Sequence, residues 1–312
     1  MAGKKIFLRI AAVSALAGLG AAVSLSQQPK VSAAHENLLA ENPVITGLPS
    51  ADVVLAKYEK FMGGKAALVK VATRTVWTRR IQETGAPDET ILLHYSKKPN
   101  FSIMRHNNLD ATLNHWQNGC DGRTGWQHGT GEQIKDVGPN VSAGPMCHQE
   151  LYYYGYLPLD LEAMKVSYKT LEVKSELKVV QPPVTVYGSM AGGVGQDLVG
   201  AGPRDAYLVL GVAAREGDEG AWFLFDKETG ALLRRQSDDG ATPGPPAANA
   251  KFTSFLQYRQ VGDGTVAPFQ WVSQNKNSIT RGVATKIEDN APLDDKLFIM
   301  PKSALREDKG LQ

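Results

Sequence analysis

Cysteine is scarce in this sequence, and the motifs that would give it a chemical role are missing. Cys120 and Cys147 are the only cysteines in 312 residues. Covalent haem attachment uses C-x-x-C-H, and although His148 follows Cys147, the position of the first cysteine is occupied by Gly144. Zinc sites need Cys and His ligands at close spacing, which two distant cysteines do not provide. The sequence therefore predicts no metal site and no cofactor.

Motifs for catalysis are absent as well. The chain has no G-x-S-x-G nucleophile elbow and no G-x-x-x-x-G-K-[ST] phosphate loop. Its histidines are spread out without an i, i+4 pair. Asp294 and Asp295 are adjacent, and neighbouring residues of an extended segment point in opposite directions, so we expect a turn or capping role for them. We predict that the protein is not an enzyme and has no catalytic residues.

A long hydrophobic run is also missing, and the one uncharged segment is of export type. Lys4, Lys5 and Arg9 precede residues 10–25, which carry no charge and are mostly Ala, Leu, Val and Gly. This order is that of a secretory signal peptide. The segment is shorter than the roughly 20 residues that span a bilayer. We predict a signal peptide over residues 1–33, a periplasmic location and no transmembrane segment in the mature chain.

Two small-residue sites compete for signal cleavage, one ending at Ser24 and the other at Ala33, and the polar stretch after Ala33 favours the second. The formal net charge of +2 includes four cations of the signal and none of its acids, so the mature chain carries −2. A slightly acidic protein lacks the electrostatic basis for a nucleic-acid partner. No cysteine is present near the signal, which excludes a lipid-modified N-terminus.

The mature chain reads as one domain between short ends. Residues 34–50 contain Pro43, Gly47 and Pro49 and predict a flexible leader, and residues 303–312 form a tail. The domain spans residues 51–302 and contains Gly/Pro-rich loops at 181–205 and 241–250.

Helices are predicted first and strands afterwards. Hydrophobic spacing near 3.6 predicts a helix over 52–62, capped by Ser50 and ended by Gly63 and Gly64, and a second over 65–71. A further helix is predicted over 157–168. Short segments between turn residues predict strands at 73–82, 90–96, 101–107, 112–117, 171–180, 206–213, 221–226, 232–237, 252–261, 267–275 and 281–288. This order predicts an α+β fold with one antiparallel sheet and helices on one face.

Four short motifs, in order, resemble those of the outer-membrane lipoprotein-sorting superfamily. Asp121 to Trp126 matches D-G-x-x-G-W, and Phe225 to Arg234 matches F-D-x-x-T-G-x-L-x-R. Asp263 to Phe269 matches D-G-x-x-x-P-F, and Asn290 to Phe298 matches N-x-P-x-D-D-x-x-F. The resemblance extends over about residues 51–301.

The resemblance implies a LolA/LolB-like fold, which is a curved antiparallel sheet, or incomplete β-barrel, with helices covering a concave face that encloses an apolar cavity for acyl chains. Members of this group are periplasmic. Relatives of the subgroup occur beside, or fused to, cytochrome c subunits of reaction centres, but this chain lacks C-x-x-C-H.

Aromatic residues of the predicted strands and turns are the candidates for lining such a cavity, although core packing uses the same residue types. They are Trp77, Tyr95, Phe101, Trp116, Trp126, Phe223, Phe225, Tyr258 and Trp271. Export also makes a disulfide between Cys120 and Cys147 an option, with two free thiols as the alternative.

Our leading functional hypothesis is a cell-envelope protein that carries a lipid or lipoprotein acyl chain in a half-barrel cavity, without catalysis. The alternative is an accessory subunit of an envelope complex, linked to electron transfer through a cytochrome c partner and without its own haem. The expected partners are an acyl chain in the first case and an envelope protein in the second.

Overall fold

The computed structural model describes residues 47–84, 88–97, 101–108, 116–120, 125–129, 135–136, 164, 168–184, 196–214, 220–238, 252–262, 264–275 and 277–298, with only the backbone for 88, 101–136 and 237–238. The predicted signal peptide, most of the leader, the 241–250 loop, the tail and Cys147 lie outside these residues.

Two helices open the described chain, as predicted. Helix α1 spans Ala51–Phe61 and helix α2 spans Gly64–Lys70. The buried residues of α1 recur every three or four positions, which gives the helix one apolar side. Gly63 has φ 115°, a left-handed conformation that suits glycine and separates the two helices. Within the described residues, no helix has the length and apolar character needed to cross a membrane.

Thirteen strands of the described chain form one antiparallel sheet. Their order is β6-β5-β4-β3-β2-β1-β13-β12-β11-β10-β9-β8-β7, so the chain's last strand pairs with its first and the sheet's edges are β6 and β7. The sheet is curved and does not close into a barrel, which confirms the predicted fold class. The strands are β1 Thr73–Gln82, β2 Asp88–Lys97, β3 Phe101–Asn108, β4 Trp116–Cys120, β5 Gly125–Gly129, β6 Lys135–Asp136, β7 Tyr168–Val180, β8 Pro203–Ala213, β9 Gly220–Asp226, β10 Leu232–Asp238, β11 Phe252–Val261, β12 Thr265–Gln274 and β13 Ile279–Asp289.

Several strand boundaries differ from the sequence prediction. The described part of strand β4 begins at Trp116, and residues 112–115 of the predicted strand lie outside the described residues. Strands β5 and β6 were not predicted, because their Gly, Lys and Asp residues have low β propensity. Strand β7 begins at Tyr168, where a helix was predicted to end. Strand β8 begins at Pro203, inside the predicted loop 181–205, at a position where a strand tolerates proline.

Strand pairing fixes which side chains share a face. We call the face that carries α1 the inner face and the opposite one the outer face. Phe225 contacts Tyr58 of α1 and therefore marks the inner face. Directly paired residues point to the same side of a sheet, and so do residues two apart on one strand. Phe223 therefore lies on the inner face with Phe225, and the pairing from β9 through β13 to β1 places Trp271 and Val76 there too.

Described ends of the Gly/Pro-rich loop lie against the sheet. The carbonyl oxygen of Pro183 accepts a hydrogen bond from Arg281 Nη1 at 3.0 Å, and that of Val180 accepts one from Arg234 Nη2 at 3.5 Å. Both arginines belong to the outer face by their strand pairing. On its return, the loop donates from the Leu198 amide to the Tyr258 carbonyl oxygen at 2.9 Å.

A buried ion pair joins the first and last strands. Arg74 donates from Nε to Asp289 Oδ1 at 2.6 Å and from Nη2 to Oδ2 at 2.8 Å, and Nη2 also reaches Thr265 Oγ1 at 2.9 Å. Their side chains are 1% and 5% exposed. The arrangement is bidentate, and it links three neighbouring strands.

Replacing Asp289 by Asn should lower the free energy of unfolding by about 3 kcal/mol, because it leaves the buried guanidinium of Arg74 without its counter-charge. Urea denaturation measures this change. The control is Glu288→Gln on the same strand, which breaks an exposed pair with Lys286 and should change stability by less than about 0.5 kcal/mol. Equal effects of the two variants would contradict the assignment.

Candidate ligand-binding face

Four of the nine predicted aromatic residues belong to the main core, and two of them, Phe225 and Tyr258, contact α1. Phe223, Phe225, Tyr258 and Trp271 are almost fully buried and belong to the main hydrophobic core. Tyr258 pairs with Pro268 and would point outward by simple alternation. Gln257 has φ 54°, however, and this left-handed residue turns the strand so that the Tyr258 ring meets Phe61 of α1.

Trp77 and Tyr95 lie on the other face. Trp77 pairs with Lys286 on β13, whose ammonium group sits 4.7 Å from the centre of the indole. Tyr95 packs against Phe298 of a 3-10 helix, Asp295–Phe298, in a separate small cluster. The structure thus does not bring these two residues together with the four of the main core.

The remaining predicted residues lie where only the backbone is described. Phe101, Trp116 and Trp126 belong to β3, β4 and β5. Cys120 ends β4 and pairs with Gly125. Their part in a cavity, and the disulfide, stay predictions.

Helix α1 contributes the aromatic partners that the sequence prediction left out. Tyr58 meets Phe225 edge to face with ring centres 5.4 Å apart, and Phe61 meets Tyr258 in the same way at 5.2 Å. The helical spacing of these residues was visible in the sequence, and it places both on one side of α1. These two ring contacts pack α1 against the inner face.

A small pocket lies away from α1. It has a volume of about 90 Å³ and is bounded by the described ends of the Gly/Pro-rich loop and by Leu256 and Gln257 of β11. A fatty acyl chain needs more room than this pocket offers.

Two hairpin turns hold α1, one near its middle and one just after its last turn. Near its middle, Lys57 donates from Nζ to the Lys227 carbonyl oxygen at 2.5 Å, and the backbone of Lys57 passes so close to Gly230 that a Cβ there would lie 2.8 Å from the Lys57 oxygen. After its last turn, the Met62 carbonyl oxygen accepts a hydrogen bond from Val266 at 3.1 Å. A Cβ on Gly63 would overlap the carbonyl oxygen of Gly264.

Asp226 organises the first of these turns. Its Oδ1 accepts hydrogen bonds from the Thr229 amide at 2.6 Å and the Thr229 hydroxyl at 2.8 Å, and its Oδ2 accepts one from Arg204 Nε at 2.7 Å. Burial acts to raise the pKa of the Asp226 carboxyl, but the hydrogen bonds from Arg204 and Thr229 outweigh it and hold the pKa below its usual value.

Metal-binding clusters are not found in the described part of the chain. There, no group of three or more His, Cys, Asp and Glu side chains could hold a metal ion. Asp294 Oδ1 accepts a hydrogen bond from the Lys296 amide at 2.9 Å at the start of the 3-10 helix. The predicted capping role of this aspartate is confirmed.

Replacing Gly63 by Ala should lower stability more than replacing its neighbour Gly64. Both residues have positive φ, so both substitutions carry a conformational cost of about 1 kcal/mol. Only at Gly63 does the added Cβ meet the β11–β12 turn, whereas nothing lies within 4 Å at Gly64. Urea denaturation of the two variants should separate them by more than about 1 kcal/mol, and equal losses would mean that α1 is not seated on this turn.

Replacing Asp226 by Asn should cost about 2 kcal/mol of stability at neutral pH. Since the folded-state pKa of Asp226 is lowered, its contribution is fully present above the unfolded pKa of about 3.9 and is lost as the pH falls through the folded pKa. The difference between the two proteins should therefore be constant from pH 6 to 8 and shrink below about pH 4. The free energy of unfolding of both proteins, measured across this pH range, tests whether the pKa of Asp226 is lowered in the folded state.

The matched control for that experiment is Glu228→Gln, because Glu228 binds the same arginine but is 78% exposed. It should change stability by less than about 0.5 kcal/mol at every pH. A pH dependence that is the same in Asp226→Asn and in the unchanged protein would contradict the assignment.

Comparison with known proteins identifies the fold. A DUF1329 family protein from Desulfovibrio piger aligns with 83% of this chain and 98% of its own at 11% identity and a TM-score of 0.50. A LolA superfamily protein from Nitrosomonas europaea aligns with 81% of this chain and 98% of its own at 10% identity, with a TM-score of 0.49. A putative outer membrane lipoprotein-sorting protein domain from Vibrio parahaemolyticus, at 11% identity, covers 79% and 94% with a TM-score of 0.46.

Sequence comparison adds nothing to these structural similarities. No family model matches the chain, and no curated protein matches it. At 11% identity, the similarity to the Desulfovibrio piger protein shows a common fold and leaves the ligand open.

Proposed function

We propose that this protein is an exported, non-catalytic carrier that binds a lipid or lipoprotein acyl chain on the inner face of its sheet, with α1 moving aside. The observation that carries the proposal is the way α1 covers this face. Its contacts with the sheet are aromatic along the helix, through Tyr58 and Phe61, and its described hydrogen bonds to the sheet are made to the two hairpin turns.

An acyl chain can replace such a helix at little cost. The apolar surface of Phe225, Tyr258 and their neighbours gains about 25 cal/mol per Å² from any apolar cover, whether helix or hydrocarbon. The hydrogen bonds at the turns are few, so they hold α1 in place without preventing its departure from the inner face. The arrangement with α1 packed on the inner face is, on this view, the closed form of the carrier.

A second candidate function, a scaffold for an envelope partner, is favoured by the same packing of α1. A sheet whose inner face is covered by its own helix is suited to be a rigid scaffold. This accessory subunit would use its outer face or its edges and would bind no lipid. Association with a cytochrome c subunit belongs to this candidate.

Calorimetric titration with oleate distinguishes the two candidates and tests the role of α1. Phe61→Ala removes one of the two aromatic contacts between α1 and the sheet, which are worth about 0.5–1.5 kcal/mol each. Since that energy opposes opening, oleate should bind the variant between about twofold and tenfold more tightly than the unchanged protein.

The control is Val53→Ala, a substitution on the solvent side of α1, where Val53 is 60% exposed. It should leave oleate affinity unchanged. A protein that binds no oleate, carries no lipid in mass spectra of its organic extract and is not affected by Phe61→Ala would refute the carrier. Recovery of one stoichiometric envelope partner together with those results would support the scaffold.

A further inference from the structure

Arg235 and Thr253 stand side by side on the inner face. Arg235 of β10 pairs directly with Thr253 of β11 on one side and with Phe223 of β9 on the other. Residues in such pairs have Cβ atoms about 5 Å apart and point to the same side of the sheet. Both polar side chains therefore lie on the inner face, together with Phe223 and Phe225.

Three polar atoms of this pair are buried and have no hydrogen-bond partner. They are Nε and Nη1 of Arg235 and Oγ1 of Thr253, a residue that is 0% exposed. Three other arginines of the sheet form ion pairs with acids: Arg74 with Asp289, Arg204 with Asp226, and Arg281 with Glu83 at 2.6 Å. Among the described residues, no carboxylate forms an ion pair with Arg235.

The immediate surroundings of Arg235 are apolar. Phe223 is its pairing partner, Leu233 precedes it by two residues, and Phe255 follows Thr253 by two, and all three are almost fully buried. A positive charge in such surroundings interacts more strongly with an anion than it would in water. Arg235 as a whole is only partly buried, so part of its side chain is in contact with solvent.

We propose that Arg235 and Thr253 anchor the anionic headgroup of an amphiphile whose acyl chain lies along the inner face. Nε and Nη1 of Arg235 donate two hydrogen bonds to the headgroup oxygens, and the Thr253 hydroxyl donates a third. This inference rests on the proposed carrier function and narrows its ligand to a chain with a carboxylate or phosphate headgroup. Neutral acyl compounds lack the partner that these groups require.

Titrations with three probes of the same 18-carbon chain test the anchor: oleate, lysophosphatidic acid and the neutral oleyl alcohol. The protein should bind at least one of the two anions ten times more tightly than the alcohol. The tighter anion identifies the headgroup as carboxylate or phosphate. Equal affinity for all three would overturn the anchor and leave the carrier function standing, whereas no binding of any probe would overturn both.

Two substitutions assign the selectivity to these residues. Arg235→Gln should weaken binding of the preferred anion at least tenfold and leave the alcohol unchanged. Thr253→Val should weaken it about threefold, although the variant should be as stable as the original or more so, because it loses a buried hydroxyl without a partner. A purely structural role of these residues would not combine weaker anion binding with unchanged alcohol binding in Arg235→Gln and with undiminished stability in Thr253→Val.

The control is Lys286→Gln, which removes one positive charge from the outer face, where Lys286 is 55% exposed. It should bind all three probes like the unchanged protein. Loss of anion selectivity in this control, or an equal loss of all probes in Arg235→Gln, would overturn the proposal.

Discussion

The seating of α1 on the inner face is the constraint on which the rest of this structure depends. The helix can lie close to the sheet because two glycines, Gly63 and Gly230, let backbone meet backbone at the hairpin turns. This approach brings Tyr58 and Phe61 into edge contact with the rings of β9 and β11. Tyr58 is almost fully buried and Phe61 is partly buried, so these contacts hold α1 against the core.

A buried ion pair holds the centre of the sheet. Strand β13 returns to pair with β1, and the Arg74–Asp289 pair fixes that junction at the middle of the sheet order. The sheet can then remain open at both edges without losing its central register. Under the proposed carrier function, this fixed centre lets α1 move aside while the sheet keeps its register.

Local patterns predicted much of this fold. The bounds of β1 and β11 follow from alternation and turn residues, and the turn at Asp226 follows from D-x-x-T-G, in which the carboxylate can reach the Thr229 amide and hydroxyl. The spacing of α1 likewise predicted its apolar side.

Long-range features could not be predicted in the same way. Arg74 and Asp289 are 215 positions apart, and nothing local marks them as partners. Trp77 and Trp271 are both aromatic residues of strands, and only the strand order and the bulges decide that they lie on opposite faces. Arg235 and Thr253 look like ordinary strand residues until their pairing and burial are known.

The central claim is that α1 leaves the inner face when an acyl chain binds. Hydrogen–deuterium exchange of the purified protein, with and without saturating oleate, measures this directly. The account predicts that amides of Ala51–Phe61 exchange at least tenfold faster with oleate bound, while those of β9 to β12 exchange no faster. Bound oleate with unchanged or slower exchange in α1 would contradict it.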